Sequence, residues 1–251
     1  MSVKRAFRVF QRNFTVYKKL YRSSIVLNFV EPVLYLFAFG IGLGSYVKEI
    51  NGMSYIQFIA PGIIASSSMF ASTYECTYGT FVRMNFQKTF DAILSTPVSV
   101  YELILGELIW GAFKSVFYGS IIIITLLTVG IVDSALIVFL LPILFVSGFI
   151  FAEISMICAA LVPGIDSFNY FYTLFMTPMF LFSGIFFPVD VLPHYLRNVA
   201  SFTPLYHLTN LCRSYAVGKL AGTLPDLLWL VSFALIFLIP PFVLMRKRII
   251  N

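Results

Sequence analysis

Long apolar runs alternate with short polar breaks along most of the chain. Because a helix needs about 20 predominantly apolar residues to cross a bilayer, each run predicts a membrane-spanning helix. The breaks between the runs are polar or rich in Gly and Pro, as expected for connections outside the hydrocarbon layer. The six predicted spans are Ile25–Gly44, Phe58–Tyr78, Leu103–Gly130, Ser134–Val162, Phe168–Phe187 and Leu227–Leu244.

The segment before the first span, residues 1–24, has an amphipathic pattern. Aromatic residues recur at helical spacing and cations occupy the opposite face. This pattern predicts an interfacial helix lying among lipid headgroups, and the alternative is an amphipathic helix packed on a partner. The aromatic stripe is Phe7, Phe10, Phe14, Tyr17 and Tyr21, and the cations are Lys4, Arg5, Arg8, Arg12, Lys18, Lys19 and Arg22.

The polar break at residues 81–102 carries its own helix signals. A helix should end near Leu94. Pro97 follows shortly after, and the residue before a proline avoids helical backbone angles. Ser99 and Glu102 have the spacing of a capping box, so a new helix is predicted to begin there. This loop either lies on the lipid surface or docks a cytoplasmic protein, and its composition leaves both interpretations open.

The segment before the last span, residues 188–225, is apolar but interrupted by proline. Pro188, Pro193 and Pro204 prevent one continuous helix. We predict short re-entrant helices that dip into the membrane, since irregular backbone at that depth must be buried in protein or line a cavity. An amphipathic loop on the surface is the alternative.

The composition supports an all-α integral membrane protein. The 251 residues are 59% hydrophobic and 11% charged, whereas soluble domains carry about 25% charged residues. With both termini placed in the cytoplasm, thirteen of the 17 Lys and Arg residues fall on the inner side and four on the outer. This bias follows the positive-inside rule and predicts a multi-pass protein with cytoplasmic termini.

Four acids interrupt the apolar spans, where a charge is costly and usually faces protein or water. Glu31 and Glu107 lie near the inner ends of their spans and are expected to pair with a nearby Arg or Lys. Glu75 lies in the run SSSMFASTYECTYG, which favours close helix packing over a polar pathway wall. For Glu153 the sequence leaves both a structural role and a functional one open.

Two stretches resemble the membrane subunit of type-2 ABC exporters. The first is RMNFQKTFDAILSTPVSVYELILGE followed by WGAFKSVFYG, and the second is LFSGIFFPVDVLPHYLRNVASFTPLYHLTNLCRSYAVG. The resemblance is strongest to the nodulation protein J branch, which includes lipo-oligosaccharide and drug exporters. It implies a six-span domain at residues 25–251 that acts as a homodimer with two copies of a cytoplasmic ABC ATPase in a prokaryotic inner membrane.

The same resemblance implies which residues carry function. Residues 81–102 become the coupling loop, which contacts the ATPase, and spans one, two and five line the export route. The expected ATPase contacts are Arg83, Gln87, Phe90, Asp91 and Leu94, with Ser99 and Glu102 capping the loop. The expected pathway residues are Tyr35, Phe39, Phe70, Tyr74, Glu75, Tyr172 and Phe175.

Missing motifs argue against chemistry in this chain. There is no GxxxxGK[ST] phosphate loop, so ATP and magnesium are expected on the ATPase partner. No HExxH or GxSxG motif occurs, and His194 and His207 lack nearby Cys or paired acids. We therefore expect no enzyme activity, cofactor, metal or nucleic-acid partner in this chain. The family resemblance implies an amphipathic cargo such as a lipid-linked glycan, a lipo-oligosaccharide or a hydrophobic drug. A channel, an ion-coupled transporter and a membrane-embedded lipid-modifying enzyme are the alternatives.

Overall fold

The chain is a bundle of helices with one two-stranded hairpin among the described residues. The computed structural model describes residues 2–250 except Lys48 and Asn51, and it does not describe the side chains of Leu20 and residues 22–29. Lys48 and the side chain of Arg22, both used to orient the chain, therefore lie outside the described part.

The first helix is longer than predicted. Helix α1 runs over Val3–Phe37 and continues through the π-helical turn Ala38–Gly42 and the 3-10 turn Leu43–Ser45. The predicted boundary between an interfacial helix and the first span, at residues 24 and 25, lies inside α1, and the division into these two parts stays a prediction. No Gly or Pro occurs before Pro32 to interrupt the helix there.

Helix α2 is the centre of the bundle. It spans Tyr55–Tyr74 after the short strands β1 (Glu49–Ile50) and β2 (Met53–Ser54), and sixteen of its 20 residues are buried. Helical turns of π type, Glu75–Gly79 and Val82–Phe86, extend it to the coupling loop. Helix α2 is therefore surrounded by other helices over most of its surface.

The next three helices follow the predicted order. They are α3 (Thr89–Leu94), α4 (Val100–Thr128) and α5 (Leu140–Leu161), the last preceded by the 3-10 turn Ala135–Phe139. Helices α4 and α5 approach closely at Gly148, where an added Cβ would lie 2.3 Å from the Cβ of Ser115. Small residues permit this approach, as is common between helices in membranes.

The fifth predicted span is a shorter helix than expected. Helix α6 (Phe168–Phe171), a π-helical turn (Tyr172–Met176) and α7 (Thr177–Phe182) follow one another without a break. The prediction extended to Phe187, but the chain leaves the helix after Phe182 and turns at Gly184, whose φ of 76° suits glycine.

Residues 188–225 contain two short helices, as predicted. Helix α8 covers His194–Ser201 and α9 covers Pro204–Val217, after the 3-10 turn Val189–Val191. Buried residues of α9, among them Leu208 and Cys212, pack in the main core with those of α2. The depth of these helices in a bilayer stays a prediction.

The last predicted span is broken. Helix α10 covers Leu224–Phe237 and α11 covers Ile239–Ile250. The interruption at Leu238 lies two residues before the pair Pro240 and Pro241, which cannot donate backbone hydrogen bonds.

Three helical stretches in the described part are long and apolar enough to cross a membrane. They are Val100–Thr128, Ala135–Leu161 and Leu224–Ile250, and Val30–Ser45 is a shorter apolar helix. The structure therefore supports a multi-pass membrane protein, and the count of six spans stays a prediction.

Candidate functional site

The coupling loop contains a short helix held by one buried side chain. The backbone enters α3 through Lys88, whose φ of 51° is left-handed and unusual for a residue other than glycine. Phe90 is only 1% exposed and belongs to a buried cluster with Phe81 and Leu103. Phe90 thus fixes α3 against the helices on either side of the loop.

A capping box begins α4 directly after the loop. The Ser99 hydroxyl accepts a hydrogen bond from the Glu102 backbone N–H at 3.4 Å, and the Ser99 backbone N–H donates to the Glu102 carboxylate at 2.9 Å. Glu102 also accepts from the Ser2 backbone N–H at 2.6 Å. The cap therefore joins the loop to the start of α1 as well as to α4.

The structure divides the five predicted ATPase contacts into two groups. Gln87 and Asp91 are exposed and Leu94 is half-buried, so these three can meet another protein. Phe90 and Arg83 face inward, and the Arg83 side chain is 13% exposed. The prediction of direct contact does not fit Phe90 or Arg83, because both side chains are already engaged inside the chain.

Arg83 is the centre of a buried ion-pair cluster. One guanidinium nitrogen lies 2.6 Å from Glu75 Oε1 and the other lies 2.5 Å from Glu107 Oε2. Lys114 Nζ lies 3.4 Å from the second oxygen of Glu75 and 3.8 Å from the ring centroid of Tyr17. The cluster joins the end of α2 to α4. Glu75 belongs to it and also lines a separate cavity with Arg83 and Lys114, so its place in the pathway stays a prediction.

Helix α1 is tied to the same cluster. The Asn13 amide donates to Glu107 Oε1 at 2.7 Å, and Arg5 donates to the backbone oxygen of Pro97 in the loop at 2.8 Å. The aromatic stripe of α1 also contacts α4, since Phe10 lies 5.7 Å from Trp110 between ring centroids. Part of the stripe that predicted a lipid-facing helix therefore packs on the protein.

A groove between α1, α2 and the fifth predicted span collects most of the predicted pathway residues. Its main part has a volume of about 790 Å³ and an adjoining part about 360 Å³. Five of the seven predicted residues line the main part: Tyr35, Phe39, Phe70, Tyr74 and Tyr172. Glu75 lies in the ion-pair cluster instead, and Phe175 is 46% exposed and does not line the groove.

Glu31 lines both parts of this groove. The sequence predicted that it would pair with a nearby cation, and none of the described Lys or Arg side chains forms an ion pair with it. Glu107, for which the same prediction was made, does pair with Arg83. Sequence spacing alone gives no means of separating the two acids, because the cation that reaches Glu107 comes from another helix.

Two side chains, His207 and Arg213, connect the 188–225 segment to neighbouring parts of the chain. The ring nitrogens of His207 lie 2.6 Å from Asp226 Oδ1 and 2.8 Å from the Ser201 carbonyl oxygen. Arg213 donates to the Gly184 carbonyl at 2.7 Å and its guanidinium carbon lies 4.0 Å from the Phe58 ring centroid. These contacts join α8, α9, α10 and the end of the fifth predicted span.

Comparisons with known proteins identify the family of this helical chain. The model of the ABC-2 type transporter family matches residues 5–217. The chain belongs to the ABC-2 type transporter family. It is therefore a permease of an ABC transporter, a transport subunit rather than a catalytic one, and such permeases work with ATPase subunits.

Individual relatives extend the likeness over nearly the whole chain. Nodulation protein J of Rhizobium meliloti (strain 1021) is 39% identical over 211 residues, which cover 84% of this chain and 80% of the relative. Nodulation protein J of Sinorhizobium fredii is 36% identical over 247 residues, covering 97% and 93%. The inner membrane transport permease YadH of Escherichia coli is 23% identical over 194 residues, covering 76% and 75%.

Proposed function

We propose that this permease is half of a homodimeric exporter driven by two separate ATPase subunits on its cytoplasmic side. The cargo is an amphipathic molecule such as a lipid-linked glycan, a lipo-oligosaccharide or a hydrophobic drug. The termini are cytoplasmic and the membrane is a prokaryotic inner membrane. The similarity to nodulation protein J and to an inner membrane transport permease supports this proposal.

The observation that carries the proposal is the position of α3 relative to the ion-pair cluster. Helix α3 leaves Asp91 exposed and Leu94 exposed in part, while Phe90 is buried and Leu94 also packs against the cluster that contains Phe90. Arg83, six residues before the first residue of the helix, ties the same chain segment to α4 through Glu107. A push on α3 would therefore reach α2 and α4 together, and the energy for it would come from the ATPase because this chain has no phosphate loop.

The test is a variant that changes only the outward face of α3. Asp91→Lys reverses the charge at an exposed position. It is combined with Leu94→Glu, which introduces a negative charge at the half-buried position of Leu94. We expect normal membrane insertion, loss of ATPase co-purification and at least a tenfold fall in ATP-dependent export. The measurements are pull-down of the ATPase and uptake of cargo into inverted vesicles.

A matched control separates this face from surface charge in general. Asp166→Lys reverses another exposed acid, which the predicted topology places on the same side of the membrane. We expect it to keep both ATPase assembly and export. Unchanged export in the double variant would remove α3 from the mechanism and the proposed function with it.

A further inference from the structure

The groove contains one acid whose charge nothing in the described chain neutralises. Glu31 lines both parts of the groove, and among the lining residues that the structure describes there is no Lys or Arg. An ionisable residue in an apolar span is costly, so it normally has a partner. Glu75 and Glu107 have such partners in Arg83 and Lys114. Tyr35 shares a hydrogen bond with Glu31 but brings no positive charge, so the counter-ion of Glu31 is to be sought in what enters the groove.

The walls around Glu31 are aromatic. Two pairs of rings in the lining stack on each other. Tyr74 and Tyr172 have ring centroids 4.9 Å apart and planes 18° apart, and the Tyr35 and Phe39 centroids are 6.0 Å apart. Aromatic faces carry negative potential and attract cations, and aromatic walls with a nearby carboxylate recognise ammonium groups in proteins.

A buried hydroxyl in the groove also lacks a partner. Ser67 lines the adjoining part together with Glu31, and its side-chain oxygen has no hydrogen-bond partner although the residue is only 4% exposed. Its neighbour Ser66, by contrast, donates to the Ile63 carbonyl at 3.2 Å. Because buried polar groups are normally hydrogen-bonded, Ser67 is a second polar group in the same space that a ligand can satisfy.

We infer that the groove binds an amphipathic ligand whose polar end carries a positive charge, with Glu31 as its counter-ion. The apolar part of the ligand lies along Phe39 and Phe70, and its cationic end lies among Glu31, Tyr35 and Tyr74. Ser67 accepts or donates a hydrogen bond at the same end. This inference rests on the proposed function, in which the groove holds the cargo.

Charge separates this ligand class from the other amphipathic ones. A phosphate or sulfate headgroup would place a second negative charge beside Glu31, and the described lining residues include no cation to offset it. A neutral glycoside could stack on the rings and donate a hydroxyl hydrogen bond to Glu31, but a glutamine at this position could accept the same bond, and the sugar brings no positive charge. The inference thus predicts a ranking of cation over neutral ligand over anion.

The test compares probes of matched shape and opposite charge. Tetraphenylphosphonium and tetraphenylborate have nearly the same size and differ in sign, and decyl maltoside represents a neutral glycoside. Saturable binding of each is measured to the full chain in nanodiscs of zwitterionic lipid, without an ATPase. We expect the wild-type chain to bind tetraphenylphosphonium at least tenfold more tightly than tetraphenylborate or decyl maltoside.

Three variants make the result specific to the acid. Glu31→Gln should weaken tetraphenylphosphonium binding at least tenfold and leave decyl maltoside unchanged. Glu31→Asp retains the charge and should retain the preference, which shows that the groove is folded. Glu49→Gln makes the same chemical change at an exposed acid outside the groove lining and should change nothing.

Tighter binding of the glycoside or the borate, or a cation preference that survives in Glu31→Gln, would overturn the inference. Because no ATPase is present, such a result leaves the coupling-loop test untouched. Conversely, a chain that keeps the cation preference but exports normally with the altered α3 would contradict the proposed function alone.

Discussion

Arg83 lies between two carboxylates that come from different parts of the chain. Glu75 precedes it by about two helical turns on the extension of α2, and Glu107 belongs to α4. Burying such charges costs several kcal/mol per ion, and their attraction offsets that cost only when the geometry is good. The cluster therefore contributes to fixing how α2 and α4 sit against each other more than to net stability.

Removing Arg83 alone should be worse than removing it together with an acid. Arg83→Met leaves Glu107 buried without its cation, and the loss of one member of a buried pair costs about 3–5 kcal/mol. Arg83→Met with Glu107→Gln removes both charges and should recover most of that loss, since the glutamine can still accept from Asn13. Thermal unfolding in nanodiscs measures both variants.

The control is Lys19→Met, which removes an exposed cation from α1. It should leave the midpoint temperature of thermal unfolding unchanged within error. A double variant no more stable than Arg83→Met would show that Arg83 acts through packing alone. It would also weaken the idea that the cluster transmits movement of α3.

At the scale of elements, the contact between α1 and α4 depends on one glycine. A Cβ added to Gly106 would lie 2.6 Å from Val9 Cβ and 2.7 Å from the Ala6 carbonyl oxygen. Both neighbours belong to α1, and the second is rigid backbone. The two helices therefore cannot keep their present separation with a larger residue at this position.

Gly106→Val should move α1 away from α4. We expect a cysteine placed at Val9, which is 2% exposed, to become reactive to maleimide in this variant and to stay protected otherwise. Gly42→Ala is the matched control, because an added Cβ at Gly42 meets no atom within 4 Å. If the cysteine stays protected in Gly106→Val, the contact between α1 and α4 can accommodate a larger side chain without the two helices moving apart.

Helix ends that depend on nearby residues could be predicted from the sequence. Features that depend on contacts between distant parts of the chain could not. The stop near Leu94 and the start at Ser99 follow from Pro97 and the capping box, which act within a few residues. The continuity of α1 was missed because the change from amphipathic to apolar sequence looks like a boundary, although nothing there breaks a helix. The break at Leu238 was missed although Pro240 and Pro241 signalled it.

The same distinction holds for the candidate site. Aromatic residues on spans one, two and five indicated the groove, because the family resemblance placed those spans together. Sequence spacing could not show that Arg83 reaches Glu107, 24 residues away, or that none of the described cations pairs with Glu31. Both facts depend on how separate helices pack, and that information is not local.

At the scale of the molecule, α2 and its extension connect the groove to the coupling loop. Phe70 and Tyr74 line the groove, and Arg83 lies 13 residues after Phe70 on the same helical path, about 20 Å away at 1.5 Å per residue. One largely buried element thus carries groove residues at one end and an ion pair beside α3 at the other. A two-state movement of this element would link ATPase contact to cargo binding.

The proposed topology requires three membrane crossings between α3 and the 188–225 segment. The helix that makes the third crossing is shorter than the hydrocarbon core is thick. The helix of the fifth predicted span, Phe168–Phe182, has 15 residues. Such a helix is about 22 Å long, whereas the hydrocarbon core is about 30 Å thick. The irregular residues 183–187 must complete the crossing, and they are held by the bond from Arg213 to the Gly184 carbonyl.

Labelling at two exposed acids decides whether that crossing is made. With the three native cysteines replaced, we expect Asp190→Cys to react with an impermeant maleimide on intact cells, since the Asp190 side chain is 88% exposed. Asp91→Cys, also at an exposed position, should react only after the inner face is opened. An odd number of crossings puts the two sites on opposite sides. Reaction of both from the same side would mean that the short helix turns back within the membrane, and the arrangement of six spans would then be wrong.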